Sequence, residues 1–97
     1  MNQITISGSV AENAKYVEYS RGDSVATFTI LNQHDDYGFQ KIFVVGYGYM
    51  AGRINESVRK GAIVVVSGCL VTSGVSDTSW VKAENVSIEL PAVGRLK

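Results

Sequence analysis

The chain has 97 residues, nine basic and nine acidic side chains, and a formal net charge of zero. That length makes one domain and excludes a cofactor domain joined to a substrate domain, while the balanced charge excludes a global field for polyanions and leaves room only for a local patch. A single cysteine, Cys69, excludes an intrachain disulfide; with no signal-peptide pattern and no apolar run of spanning length, the expectation is a cytoplasmic protein with no membrane partner.

The periodicity is mostly that of strands. In "NQITISGSV" Ile4, Ile6, Gly8 and Val10 alternate with Gln3, Thr5, Ser7 and Ser9, the pattern of a half-buried strand. "ENAKYVEYSRGDS" is polar and irregular, and Arg21-Gly22-Asp23 marks a turn. "VATFTILN" sets Ala26, Phe28 and Ile30 on one face and Thr27 and Thr29 on the other. "HDDYG" reads as a hairpin turn and "FQKIFVVGY" as a third strand. "YMAGRINESVRKG" reads as a helix with a Met50, Ile54, Val58 stripe and Ala51 beside it. Arg59 and Lys60 fall in its expected last turn, with Gly61 as the C-cap. "AIVVVSGCLV" is a fourth strand with Val64, Val66, Gly68 and Leu70 on one face. In "WVKAENVSIEL" Val81 and Ala83 share a parity while Val86, Ile88 and Leu90 take the other, so a bulge is expected near Glu84-Asn85.

Three strands, a helix and two strands give the element order of the oligonucleotide/oligosaccharide-binding barrel. The expected fold is all-β: a five-stranded, antiparallel Greek-key barrel over residues 1–90, with its only substantial helix within 48–61, between the third and fourth strands. "PAVGRLK", residues 91–97, reads as a short tail. A competing pattern, Gly46-x-Gly48-x-x-Ala51, resembles a dinucleotide fingerprint. Its context argues against it. A dinucleotide fold alternates parallel strands with helices, and the ribose-binding carboxylate about twenty residues on is replaced here by Ser67. No cofactor is implied.

The third strand carries the functional signal. Its even positions, Gln40, Ile42, Val44 and Gly46, suit a narrow barrel interior, and its odd positions carry Phe39, Lys41, Phe43, Val45 and Tyr47. With the even face inside, at least two of the three aromatics face solvent. Bases stack on exposed rings for roughly 1–3 kcal/mol each, and a lysine between them meets phosphate. The competing readings make the odd face core, or bury its rings between subunits. Trp80, on the same parity as Lys82, suits stacking and rim packing equally well. Tyr16 and Tyr19, near Lys15 and Arg21, read as residues of a solvated loop beside a strand path. His34, Asp35 and Asp36 fall short of a metal site, and Cys69 has no histidine or lysine in its segment to activate it.

In order along the chain, "ITISGSVAENAKY", "VATFTILN", "VVGYGYMAGRINESVRKGAIVVVSGCL" and "WVKAENVSIEL" resemble the bacterial-type single-stranded-DNA-binding protein family across residues 2 to 90. Tyr47-Gly48 stands at the family's aromatic-Gly, Lys60-Gly61 at its Lys-Gly, and Gly68-Cys69-Leu70 at its Gly-x-Leu. The resemblance implies a non-enzymatic binder of single-stranded DNA, assembled as a homotetramer or dimer and working beside replication proteins. Outward Ile63, Val65, Cys69 and Val71, and outward Gln3, Thr5 and Ser7, are the expected subunit contacts. Departures point to a phage, plasmid, accessory or replication-restart relative. Lys41 stands where the family often has tryptophan, the "HDDYG" connection is short and acidic, and the sequence ends at Lys97 without the glycine-rich region and acidic tip that recruit partners in the family.

The sequence therefore predicts sequence-independent single-stranded DNA binding in replication, recombination or repair. Phe39, Phe43, Tyr47 and Trp80 are the stacking candidates, and Lys41, Lys82, Arg21 and Lys15 the phosphate contacts. RNA remains open as a ligand. The alternatives are a protein-interaction or replication-restart module of the same fold, with the aromatics as its interface, and a sugar-binding barrel, which the lone cysteine disfavours.

Overall fold

The computed structural model describes residues 1–19, 22–73 and 78–91. Chain order gives β1 (Ile4–Val10), β2 (Lys15–Glu18), β3 (Ser24–His34), β4 (Gly38–Tyr47), α1 (Tyr49–Ser57), β5 (Ile63–Thr72) and β6 (Ser79–Leu90). Period-two alternation sends Ala26, Phe28 and Ile30 of β3, Val44 of β4, Val64 and Val66 of β5, and Val81, Ala83 and Val86 of β6 inward, where all are buried. Ala51 and Ile54 of α1, with Val58 just past it, close over this core. One face of the short helix is thus apolar because it plugs a barrel end.

The sheet runs β1-β5-β6-β4-β3-β2, and β1 also pairs with β3. Five strands therefore close a ring, and β2 hangs on the outer edge of β3. The barrel and its helix stand as the sequence predicts, but the barrel is not wholly antiparallel. Directions cannot alternate all the way round a ring of five, so at least one neighbouring pair must run parallel. Here it is β4 with β6, through Val44↔Val81 and Val45↔Lys82. The remaining contacts of the ring, β1–β3, β1–β5, β3–β4 and β5–β6, are antiparallel. No pairing joins β4 to β5 across the helix, so the strand–glycine–helix passage is not a βαβ unit.

The parity slip in the last strand is a real bulge. Ser67 pairs with Asn85 and Gly68 with Ala83, which leaves Glu84 as the extra residue. Gly68 permits it, since a Cβ there would run into the Lys82 carbonyl. Gly46 serves α1 in the same way: a Cβ would collide with the Ile54 side chain, so the glycine lets the helix sit on β4. Gly48 enters the helix, held by a Gly48 N–H bond to the Ser24 carbonyl at 2.9 Å and by the Ser24 hydroxyl donating to the Gly48 carbonyl at 3.2 Å.

Three local expectations need correction. The helix stops at Ser57, so Arg59 and Lys60 lie beyond it and Gly61 is not its cap. Gly61 instead donates to the Val10 carbonyl at 2.9 Å, tying the turn to β1. Arg59 still serves the helix end, because its Nη1 donates to the Asn55 carbonyl at 2.7 Å. Leu70 leaves the interior and is 43% exposed, because the barrel opens at that end. The polar stretch after β1 is not all loop. Residues 15–18 pair with β3 from Lys15↔Thr27 to Glu18↔Ser24, and the Tyr19 N–H closes the hairpin on the Asp23 carbonyl at 2.7 Å. β6 ends at Leu90 with Pro91 after it; the rest of the expected tail lies outside the described residues.

Candidate nucleic-acid interface

Outward positions of β2, β3, β4 and β6 form one continuous face. Its spine is β4, where Phe39 is 68%, Phe43 55% and Tyr47 47% exposed. Their spacing of four residues sets successive rings roughly 13 Å apart along the strand. Lys41 projects between the first two, and the inward neighbours Val44 and Gly46 are buried. From Ile42 to Tyr47 the third strand's parity is as the sequence predicts, within a single chain, while Gln40, expected inside, is exposed.

Cross-strand register extends the face sideways. Lys15 lies opposite Thr27, Thr27 opposite Val45, and Val45 opposite Lys82. That row spans three strand spacings, roughly 14 Å, with an exposed lysine at each end. The next row sets Tyr47 opposite Val25, and Val25 opposite Val17. Outward positions of β2, β3 and β4, and of β6 as far as Lys82, hold Lys15, Lys41 and Lys82 and no carboxylate. Exposed carboxylates on these strands are Glu18 of β2 and Glu84 and Glu89 of β6, off the outward positions just named. Acidic Asp35 and Asp36 lie at the β3–β4 turn, and Glu56 on the exposed side of α1.

Trp80 is half-buried and meets Phe43 and Lys41 around a cleft of about 160 Å3 at the barrel end opposite α1. Ile4, Ile6, Ile42, Leu70, Ser79 and Val81 complete the lining. The structure thus places Phe39, Phe43, Tyr47, Trp80, Lys41, Lys82 and Lys15 on or beside one surface. Arg21 lies outside the described residues. Leu70 was not legible as a surface residue, since its alternation marks it as core, while Ile4 and Ile6 are half-buried and pack against the core as their alternation predicts. Val17, 50% exposed, was hidden in the unrecognised β2 segment, and Tyr19, read from the sequence as a solvated-loop residue, is 56% exposed just past it.

Comparison with known proteins decides the family. The single-strand binding protein family matches residues 1–96. The chain belongs to that family. Membership implies single-stranded DNA binding, and the family is not catalytic. No curated protein matches the sequence. Among solved structures, a deletion mutant of the single-stranded DNA binding protein from Thermus aquaticus is similar at a TM-score of 0.81 and 18% identity, over 96% of this chain and 43% of that one. The SSB domain of a Synechococcus sp. protein is similar at a TM-score of 0.77 and 20% identity, over 89% of this chain and 93% of that one. At such identities the likeness establishes the barrel and not its contacts. This single-strand binding family member spans less than half the length of the Thermus aquaticus chain. No helix among its described residues is long and apolar enough to cross a membrane.

Proposed function

We propose that the outer face of β2, β3, β4 and β6 binds single-stranded DNA without reading its sequence. Bases stack on Phe39, Phe43 and Tyr47, while Lys15, Lys41 and Lys82 meet phosphates. The observation that carries this reading is the coincidence of three exposed rings and three lysines on one face, whose outward positions hold no carboxylate on β2, β3, β4 and on β6 as far as Lys82. Stacking suits any base, because every base has a π-face, and the lysines contact a backbone common to all sequences. RNA shares both features and is a second ligand of the same chemistry.

The assembly that best suits the remaining surface is a homotetramer built from dimers, with replication proteins as further partners. Ile63, Val65, Cys69 and Val71 of β5 point away from the core yet are only half-covered in one chain, as expected of residues that complete their burial against a second copy. A second functional reading has one observation in its favour. The acidic turn of residues 34–38 adjoins the aromatic strand, a mixture that also suits a protein interface.

The test is a titration of intrinsic fluorescence with oligo(dT). Trp80 borders the face, so binding is expected to quench its emission to saturation. Three lysines contributing about −0.7 each give a log–log salt slope near −2 at most. Absence of any saturable change at low salt and high micromolar protein overturns DNA binding and leaves the protein-interface reading.

A further inference from the structure

Two polar side chains are buried among the described residues, Ser24 at 7% exposure and Thr29 at 8%. Ser24 is satisfied, since its hydroxyl donates to the Gly48 carbonyl. The Thr29 hydroxyl meets no hydrogen-bond partner among the described residues. The Thr29 carbonyl does have one, the Ala11 N–H at 2.9 Å, so the deficit belongs to the side chain alone. A hydroxyl nearly sealed from water and left unpaired is costly, and a native fold that keeps one calls for a physical reason.

The position of Thr29 supplies that reason. Its parity on β3 is outward, opposite to that of Phe28 and Ile30, and register sets it directly across from Phe43. Because the Thr29 carbonyl points to Ala11, away from β4, the two residues form a non-hydrogen-bonded pair. That arrangement brings facing side chains closest, with Cα atoms about 4.5 Å apart. Thr27 with Val45 and Leu31 with Lys41 are the outward pairs on either side. The sheet closes Thr29 from below, so what remains open of it opens on the outer face, beside the Phe43 ring.

We propose that Thr29 is a ligand contact: its hydroxyl bonds the edge of the base stacked on Phe43, and so gains in the complex the partner it lacks in the free protein. This rests on the proposed DNA face and adds a buried polar contact to its rings and lysines. The partner is a base rather than a phosphate, because the hydroxyl lies at the level of the sheet, where stacking brings a base down beside it. The lysines reach phosphate from the ends of long side chains. Stacking alone leaves a base free to turn in its own plane, and one hydrogen bond at its edge fixes that rotation. A hydroxyl both donates and accepts, and every base edge carries a donor or an acceptor, so the contact serves a site that does not read sequence.

The experiment compares the parent, Thr29→Val and Thr29→Ser by anisotropy of labelled oligo(dT) and by urea unfolding. Valine keeps the branched shape and removes the hydroxyl. It is expected to bind about three- to tenfold more weakly, the scale of one hydrogen bond. Its urea midpoint is expected to rise, because the free protein no longer buries an unpaired group. Serine keeps the hydroxyl and is expected to bind like the parent; should it misfold by circular dichroism, Thr29→Val carries the test alone. A valine variant that binds like the parent overturns the contact and leaves the DNA face standing. A valine variant that loses affinity and stability together overturns it too, since the hydroxyl then serves the barrel and not the ligand, as does a folded serine variant as weak as valine. A double-mutant cycle with Phe43→Ala identifies the partner. Without the ring no base is held beside Thr29, so Thr29→Val is expected to add little further loss, whereas additive losses place the hydroxyl on a phosphate and overturn the base contact. Urea unfolding of the same four proteins measures any direct coupling of the two side chains, which is subtracted. Failure of the parent to bind oligo(dT) overturns the DNA face and the contact together.

Discussion

Phe43→Ala separates a binding ring from a packing ring, and Phe28→Ala supplies the scale. Both residues lie on paired strands, but Phe28 points inward at 3% exposure and Phe43 outward at 55%. Burying a whole phenylalanine is worth up to about 3 kcal/mol, so removing less than half of that burial at an open position costs roughly 1 kcal/mol. Truncating Phe28 leaves a closed cavity and costs roughly 3–5 kcal/mol. Binding should reverse the order. Loss of one stacking platform weakens oligo(dT) binding by roughly 1–3 kcal/mol, about 5- to 150-fold in Kd. Urea unfolding followed by circular dichroism measures the first quantity, and anisotropy of a labelled oligo(dT) the second. The reasoning is refuted if Phe43→Ala destabilises as much as Phe28→Ala, which would mean that the ring is covered in the native assembly. It is refuted equally if the variant stays folded and binds like the parent.

Further outcomes follow from the same geometry. Lys41→Ala should flatten the log–log salt slope by about 0.7 while leaving stability unchanged, as seen in titrations at several salt concentrations; an unaltered slope removes Lys41 from the phosphate contacts. Light scattering should give the mass of four chains, and a monomer at high micromolar concentration would contradict the assembly proposed for the outward residues of β5. Gly68→Ala drives a Cβ against the Lys82 carbonyl and should cost roughly 1–3 kcal/mol in thermal or urea unfolding; a variant as stable as the parent would show that the bulge yields.

Much of the barrel was legible because its strands are amphipathic. Ala26, Phe28 and Ile30 alternate cleanly with threonines, and the change of parity between Ala83 and Val86 announced the Glu84 bulge before any pairing was visible. β2 escaped because all four of its residues are exposed and none is selected by a core; its pairing comes from the neighbouring β3 edge and from the turn closed at Tyr19. The helix end was misplaced because Val58 continues the apolar stripe after the backbone has already turned extended. The parallel seam was available from arithmetic alone, since an odd ring requires one. At the candidate interface, the exposed rings of β4 could be read from parity, and the lysine row could not: Lys15, Val45 and Lys82 are brought together by register between strands distant in sequence. The open end was hidden for the opposite reason, because Leu70 carries the pattern of a core residue at a place where the core stops.

β3 and β4 are joined by a short turn, and β5 and β6 pair antiparallel from Thr72↔Ser79, so each hairpin closes locally. β4 and β6 meet only across α1 and the whole of β5, and they share just the registered pairs Val44↔Val81 and Val45↔Lys82. Chain-closure entropy makes such a junction a late event in folding. This join of two registered pairs, as thin as that of β1 with β3, runs beneath the proposed DNA face, beside Phe43 and Trp80. A strand laid across it grips the native ring and finds nothing to hold in the transition state. Its effect falls on the unfolding limb of a chevron, where bound DNA lengthens the life of the closed barrel and leaves its rate of formation nearly unchanged.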